Sequence, residues 1–269
     1  MNEAPLTPAA GASQPGVETK SPQPAVWMRG VWAAYDNHDY ALRDVSLEVA
    51  KGERRAIIGP SGSGKSTLLK MLKGLVPPVR GELKTLGLPC DRNMARALRA
   101  RVGYIPQNLG LVNSASVLEN ALMGGLHRVG EVRSWLGLFP GSEHAEAWEA
   151  LDSVGIAHLA HRRAHELSGG ERRRLAVARA LVQRPELLLA DEFLSELDDH
   201  TAEQVLQALE TARAKLGMTI IIVEHNLSVA CSFCDRLTLL RDGAIVTHCN
   251  GCDVDPHKLR CMLQPSLVR

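Results

Sequence analysis

Gly59-Pro60-Ser61-Gly62-Ser63-Gly64-Lys65-Ser66-Thr67 fits G-x-x-x-x-G-K-[ST] at every position, and the rest of the chain is read outward from it. The apolar run Ala56-Ile57-Ile58 precedes it and the helix-like run Thr67-Leu68-Leu69-Lys70-Met71-Leu72 follows, the strand–loop–helix context that the motif requires. Glycines let backbone N–H groups turn inward around phosphate oxygens, and the following helix adds its partial positive charge. The expected ligand is a nucleoside triphosphate, cradled by Gly59, Pro60, Ser61, Gly62, Ser63, Gly64, Lys65, Ser66 and Thr67. Lys65 is expected to reach the β- and γ-phosphates, and the Ser66 hydroxyl to ligate Mg²⁺.

The chain has 269 residues, enough for one large domain or two small ones. Thirty-one basic against 30 acidic residues give a net charge of +1, so no bulk field draws it to nucleic acid. No apolar run approaches the roughly 18–20 residues that cross a bilayer, and the N-terminus has no apolar secretory core. A cytoplasmic location is expected, with any membrane association coming through a partner.

Residues 1–24, rich in Pro, Ala, Ser, Gln and Gly, read as a disordered leader. Val26-Trp27-Met28 and Val31-Trp32-Ala33 read as strand pieces, and Val45–Val49 as a half-buried strand. Tyr35, expected in the turn between them, has two readings, a partly buried tyrosine or a platform for a purine base, and its place upstream of the phosphate loop favours the platform. Beyond the loop, residues 81–86 look like a strand, about 91–100 a basic amphipathic helix, and Val102–Ile105 a short strand closed by Pro106, leaving Gln107 in a loop. Residues 108–165 read as helical with breaks at Gly137–Gly141, a helical subdomain inserted into an α/β body.

Ser168 is an N-cap candidate, with Glu171 completing a capping box. The three arginines 172–174 fall in the first turn, against the helix dipole, unless an anion such as a bound phosphate lies near; an ordinary capped surface helix is the alternative. Leu187–Ala190 is wholly apolar, as a strand covered on both faces should be, and it ends in Asp191-Glu192 where α/β sheets bind ligands. Asp191 is the expected Mg²⁺ holder and Glu192 the general base. A second buried strand, 219–223, ends at Glu224-His225, which places His225 on the same edge as a candidate γ-phosphate contact. Asp242-Gly243 marks a two-residue hairpin between 236–240 and 244–248.

The order of these parts resembles the ATP-binding subunit of ABC transporters from about Val26 to Val246. The matching motifs are GPSGSGKST (59–67), Gln107, LSGGE (167–171), LLLADE (187–192), SELD (195–198) and His225. The resemblance implies a phosphate-loop NTPase core of RecA-like α/β type with an N-terminal antiparallel β part, spanning 25–255, followed by a C-terminal tail at 256–269. It also implies a head-to-tail homodimer. Each ATP would lie between the phosphate loop of one copy and Ser168, Gly169, Gly170 and Glu171 of the other. Gln107 would join Asp191 and Ser66 around Mg²⁺ and couple the site to a helical subdomain docked on membrane permease subunits, at the cytoplasmic face of the inner membrane. Two positions depart from the family pattern: Phe193 stands where proline is usual, and Glu171 where Gln is frequent.

The run 107–124 with 133–141 (RSWLGLFPG) is similar to phosphonate importer ATPases, which implies an importer served by an extracytoplasmic solute-binding protein. An exporter subunit, and a soluble family member acting on DNA or ribosomes, are the alternatives. Against the latter, the chain has one nucleotide module, no heptad array and no basic stripe. Cys231-x-x-Cys234 and Cys249-x-x-Cys252 have spacing close to a four-thiolate zinc site, but Cys231 and Cys234 read as part of a helix, where buried free cysteine is common.

Overall fold

The computed structural model describes residues 23–36, 39–91, 95–129, 139–194 and 197–251. Nearly all of the leader, the tail, Cys252 and most of 133–141 lie outside the described residues.

Two sheets organise the chain. The smaller is antiparallel with strand order β2-β1-β4-β5, from β1 (Val26–Asp36), β2 (Asp39–Val49), β4 (Arg80–Thr85) and β5 (Leu88–Pro89). The larger has the order β10-β9-β3-β8-β7-β6, from β3 (Arg54–Ile58), β6 (Val102–Ile105), β7 (Leu187–Asp191), β8 (Thr219–Val223), β9 (Arg236–Arg241) and β10 (Ala244–Asn250). Its pairs are parallel except the β9–β10 hairpin. Among the described residues the α-helices are α1 (Lys65–Leu72), α2 (Ala95–Arg101), α3 (Val117–Leu122), α4 (Gly141–Ser153), α5 (Gly169–Val182), α6 (Asp199–Leu216) and α7 (Leu227–Phe233).

The apolar strands are apolar throughout because the larger sheet is covered on both faces. Alternate residues enter different cores: Leu188, Ala190, Ile220 and Ile222 pack among the helices of one face, whereas Leu187, Leu189, Ile221 and Val223 pack with α1 and the smaller sheet. All eight are fully buried.

One expectation on the early strands is completed and one is corrected. The two pieces 26–28 and 31–33 are one continuous strand, broken in register by bulges after Met28 and Val31, with Gly30 at φ +58°. Tyr35 is therefore a strand residue near the end of β1, not a turn residue, and its side chain lies outside the described residues. The hairpin reading holds: Asp242 (φ +50°) and Gly243 (φ +78°) are both left-handed, as a two-residue turn joining right-twisted strands demands.

Because β6 and β7 are hydrogen-bonded neighbours, everything between them is one excursion that leaves the sheet and returns beside its departure point. Among its described residues it is helical: α3, α4 and α5 pack on one another, with an isolated bridge between Ser116 and Arg163. Gly141, expected in a loop, instead begins α4. Asn120 on α3 is fully buried and secures the segment leading away from Gln107. Its Nδ2 donates to the carbonyls of Ser116 (2.9 Å) and Val112 (3.0 Å), and its Oδ1 accepts from Val112 N (2.8 Å). Asn120→Leu keeps the volume but leaves the Val112 N–H without its acceptor and removes the side-chain donor shared by the Val112 and Ser116 carbonyls, so we expect a loss of about 1–3 kcal/mol. Urea unfolding, with a lowered midpoint at unchanged slope, is the measurement.

Candidate active site

Four strand ends bring the site together. β3 runs into Gly59, β6 into Gln107, β7 into Asp191-Glu192 and β8 into Glu224-His225, all at the C-terminal edge of one parallel sheet.

The phosphate loop needs its glycines for space as well as for backbone angle. A Cβ on Gly59 would overlap the Leu240 carbonyl oxygen and come within 2.8 Å of Ser63 Oγ; one on Gly64 would overlap the Ala41 carbonyl oxygen and come within 2.7 Å of Leu42 Cδ2. Gly62 and Gly64 lie at φ +80° and +99°. Gly64 caps α1, whose first turn has no acidic residue and no side-chain cap, so its positive end suits an anion. Lys65 is 5% exposed and its Nζ donates to the carbonyls of Gly59 (2.9 Å) and Pro60 (2.8 Å). Burial lowers its pKa, opposed by the nearby Glu192 and Asp191 carboxylates.

Asp191 is buried, and burial raises its pKa despite a hydrogen bond with Ser66 and the field of Lys65. Its Oδ1 is buried with no hydrogen-bond partner. A buried carboxylate with an orphaned oxygen beside a serine hydroxyl is a hard-oxygen donor set that fits Mg²⁺.

Glu192 follows the strand at φ +51°, a left-handed conformation that costs a non-glycine residue about 1–2 kcal/mol. The turn is held by Glu192 N donating to the Val223 carbonyl (3.0 Å) and by Phe193, which is fully buried in the core. Where a proline would set the turn through its ring, this chain anchors it through an aromatic side chain. β7 lies between β6 and β8, so Gln107 and His225 flank the carboxylate. Gln107 Nε2 donates to Oε2 (2.9 Å), and His225 Nε2 sits 2.6 Å from Oε1. An ionised carboxylate only accepts, so His225 carries its proton on Nε2 in this contact.

Ser168 caps α5 as expected. Its Oγ accepts from Glu171 N (3.3 Å), and the Glu171 carboxylate accepts from Ser168 N (2.8 Å) and Ser168 Oγ (2.9 Å). Those bonds lower the Glu171 pKa. Two of the arginines after it have protein acceptors. Arg172 donates to Asn113 Oδ1 (2.8 Å), Arg174 donates to the Val154 carbonyl (3.4 Å), and Arg173 is buried. In 195–198, Asp198 caps α6 by accepting from Thr201 N (2.9 Å), whereas Ser195 and Glu196 lie outside the described residues.

Cys231, Cys234 and Cys249 are free thiols, and burial pushes Cys234 far up, away from the thiolate a metal needs. Among the described residues no group of three or more His, Cys, Asp or Glu is placed to hold a metal ion, and zinc is not supported. The sequence reading passed over Glu224, which is buried where these motifs meet.

Comparison with known proteins decides the family. The model of the ABC transporter family matches residues 42–195. The chain belongs to the ABC transporter family. It is 42% identical over 230 residues to a protein named phosphonates import ATP-binding protein PhnC 2 of Pseudomonas savastanoi pv. phaseolicola, covering 82% of each chain. It is 40% identical over 217 residues to the phosphonates import ATP-binding protein PhnC of Escherichia coli K12, covering 78% of this chain and 83% of that one. Among solved structures it is similar to a dimeric ATP-binding cassette in a post-hydrolysis state bound to ADP and Pi. There the TM-score is 0.76 at 30% identity, over 85% of this chain and all of the other. As an ABC transporter ATPase the chain binds and hydrolyses ATP. Among the described residues no helix is long and apolar enough to cross a membrane.

Proposed function

We propose that this chain powers the import of a phosphonate, or a related phosphorus oxyanion, across a membrane. The observation that carries the cargo class is the shared name of relatives about 40% identical over most of the chain. In this reading two copies pair head to tail on the cytoplasmic face of the inner membrane, against permease subunits served by an extracytoplasmic solute-binding protein.

Gly59–Thr67 bind the triphosphate, with Lys65 at its β- and γ-phosphates, and Tyr35 stacks on the base. Ser66, Asp191 and Gln107 hold Mg²⁺, which when bound supplies charge neutralisation at the transferring phosphoryl group. Glu192 takes the proton of the attacking water, while Gln107 and His225 orient its two oxygens. Ser168, Gly169, Gly170 and Glu171 offer the N-terminus of α5 to the nucleotide held by the other copy, so a lone chain has incomplete sites. The exposed side chains of Val112, Leu126 and Trp148 on the helical excursion support its role as the face that meets the permease.

The test is the complete assembly in sealed vesicles, with hydrolysis followed as candidate solutes are supplied through the binding protein. Stimulation by methylphosphonate, phosphite or phosphate is expected. Stimulation only by a solute without phosphorus overturns the cargo, and equal hydrolysis by a strict monomer overturns the shared site.

A further inference from the structure

Glu224 is 4% exposed, yet it stands one peptide from His225 and across from the turn that carries Glu192. Its side chain makes bonds that no strand requires. Oε1 accepts from Leu194 N (3.4 Å), two residues beyond Glu192, and the carboxylate also accepts from the backbone N–H of His225. Its own N–H faces the Ile57 carbonyl (3.4 Å) on β3, the strand that enters the phosphate loop. Arg173, from the helix that Ser168 caps, contributes a favourable charge, and Glu192 an unfavourable one. One buried carboxylate thus meets the catalytic turn, the histidine loop and the α5 helix.

We propose that Glu224 is a positioning residue for ATP hydrolysis, tying the backbone of the Glu192–Leu194 turn to that of His225 so that the Glu192–His225 contact is held in register. It touches neither nucleotide nor metal; it fixes the two backbones from which the reacting groups hang. This proposal rests on the roles given above to Glu192 and His225.

Two N–H donors favour the ionised form of Glu224, whereas burial disfavours it and pushes the carboxyl up to about 7. Protonation as pH falls through that value weakens both charge-assisted bonds, so wild-type kcat should decline on the acid side.

The test uses steady-state hydrolysis by the full chain. Glu224→Gln keeps an acceptor of the same shape, and its kcat should stay within about threefold of wild type at pH 8 while the decline below pH 7 flattens. Glu224→Leu keeps the bulk without an acceptor, and kcat should fall by about 30-fold or more with KM for ATP within about twofold. Wild-type kcat in Glu224→Leu, a loss seen in KM alone, or superimposable pH profiles for wild type and Glu224→Gln would each overturn the proposal. If the Leu variant does not fold, the Gln profile decides. Glu192→Gln, run alongside, tests the underlying roles separately, since undiminished turnover there would remove the base itself and not its support.

Discussion

Glu192→Gln should lower the rate of ATP hydrolysis by about 10²–10⁴-fold, the usual worth of a positioned general base. The change is nearly isosteric, and the backbone that aims the side chain is held independently of it. Glu192 N is bonded to Val223 and Phe193 is seated in the core. The amide keeps one oxygen for Gln107 Nε2 or His225 Nε2 but not two, and it takes up no proton. None of the bonds that shape the phosphate loop involves Glu192, so ATP affinity should hold within about threefold, and the ATP-loaded pair should accumulate because the step that separates it is slowed. Single-turnover hydrolysis, nucleotide titration and size-exclusion chromatography with and without ATP check the three parts. Turnover near wild type would take the base role away from Glu192.

Lys65→Ala should act on binding instead. The ammonium is buried and donates to the carbonyls of Gly59 and Pro60 while facing the carboxylates of Asp191 and Glu192. Removing it leaves the Gly59 carbonyl without its side-chain donor and takes the nearest countercharge from the two acids, in the place where a triphosphate brings more negative charge. Two charge-assisted bonds at about 1.5–3 kcal/mol each set the scale, and an affinity loss of about 10²–10⁴-fold is expected. Equilibrium titration with a non-hydrolysable ATP analogue measures it. Unchanged affinity would remove Lys65 from the phosphate cradle.

The parts of the fold that could be read from sequence are those with a local cause. β3, β7 and β8 are continuous apolar runs because both faces are covered. Ser168 with Glu171, and Asp242-Gly243, carry their caps and turn in the residues themselves. Strand β1 was legible only in pieces because its bulges break the period of two that marks a strand, and Tyr35 went to a turn for the same reason. The pincer of Gln107 and His225 on one carboxylate depends on β7 lying between β6 and β8, and the order of strands across a sheet is written in no local run. Glu224 escaped for a related reason: its donors are 30 residues away and one residue away, and neither spacing makes a motif. The arginines 172–174 left two readings open, a bound anion or an ordinary capped helix, because Asn113 and Val154, which accept from two of them, come from remote parts of the excursion.

The Asp242-Gly243 tip looks like a harmless place to splice in a tag. It is a two-residue hairpin end, and Asp242 is exposed. Gly243, however, is buried: its N–H reaches the carbonyl of Ser63 (3.2 Å) and its own carbonyl receives Arg43 N (2.8 Å). The ribbon's end is thus a doorstop wedged beneath the nucleotide cradle. A label inserted there would be felt first as weakened grip on ATP, long before the sheet came apart.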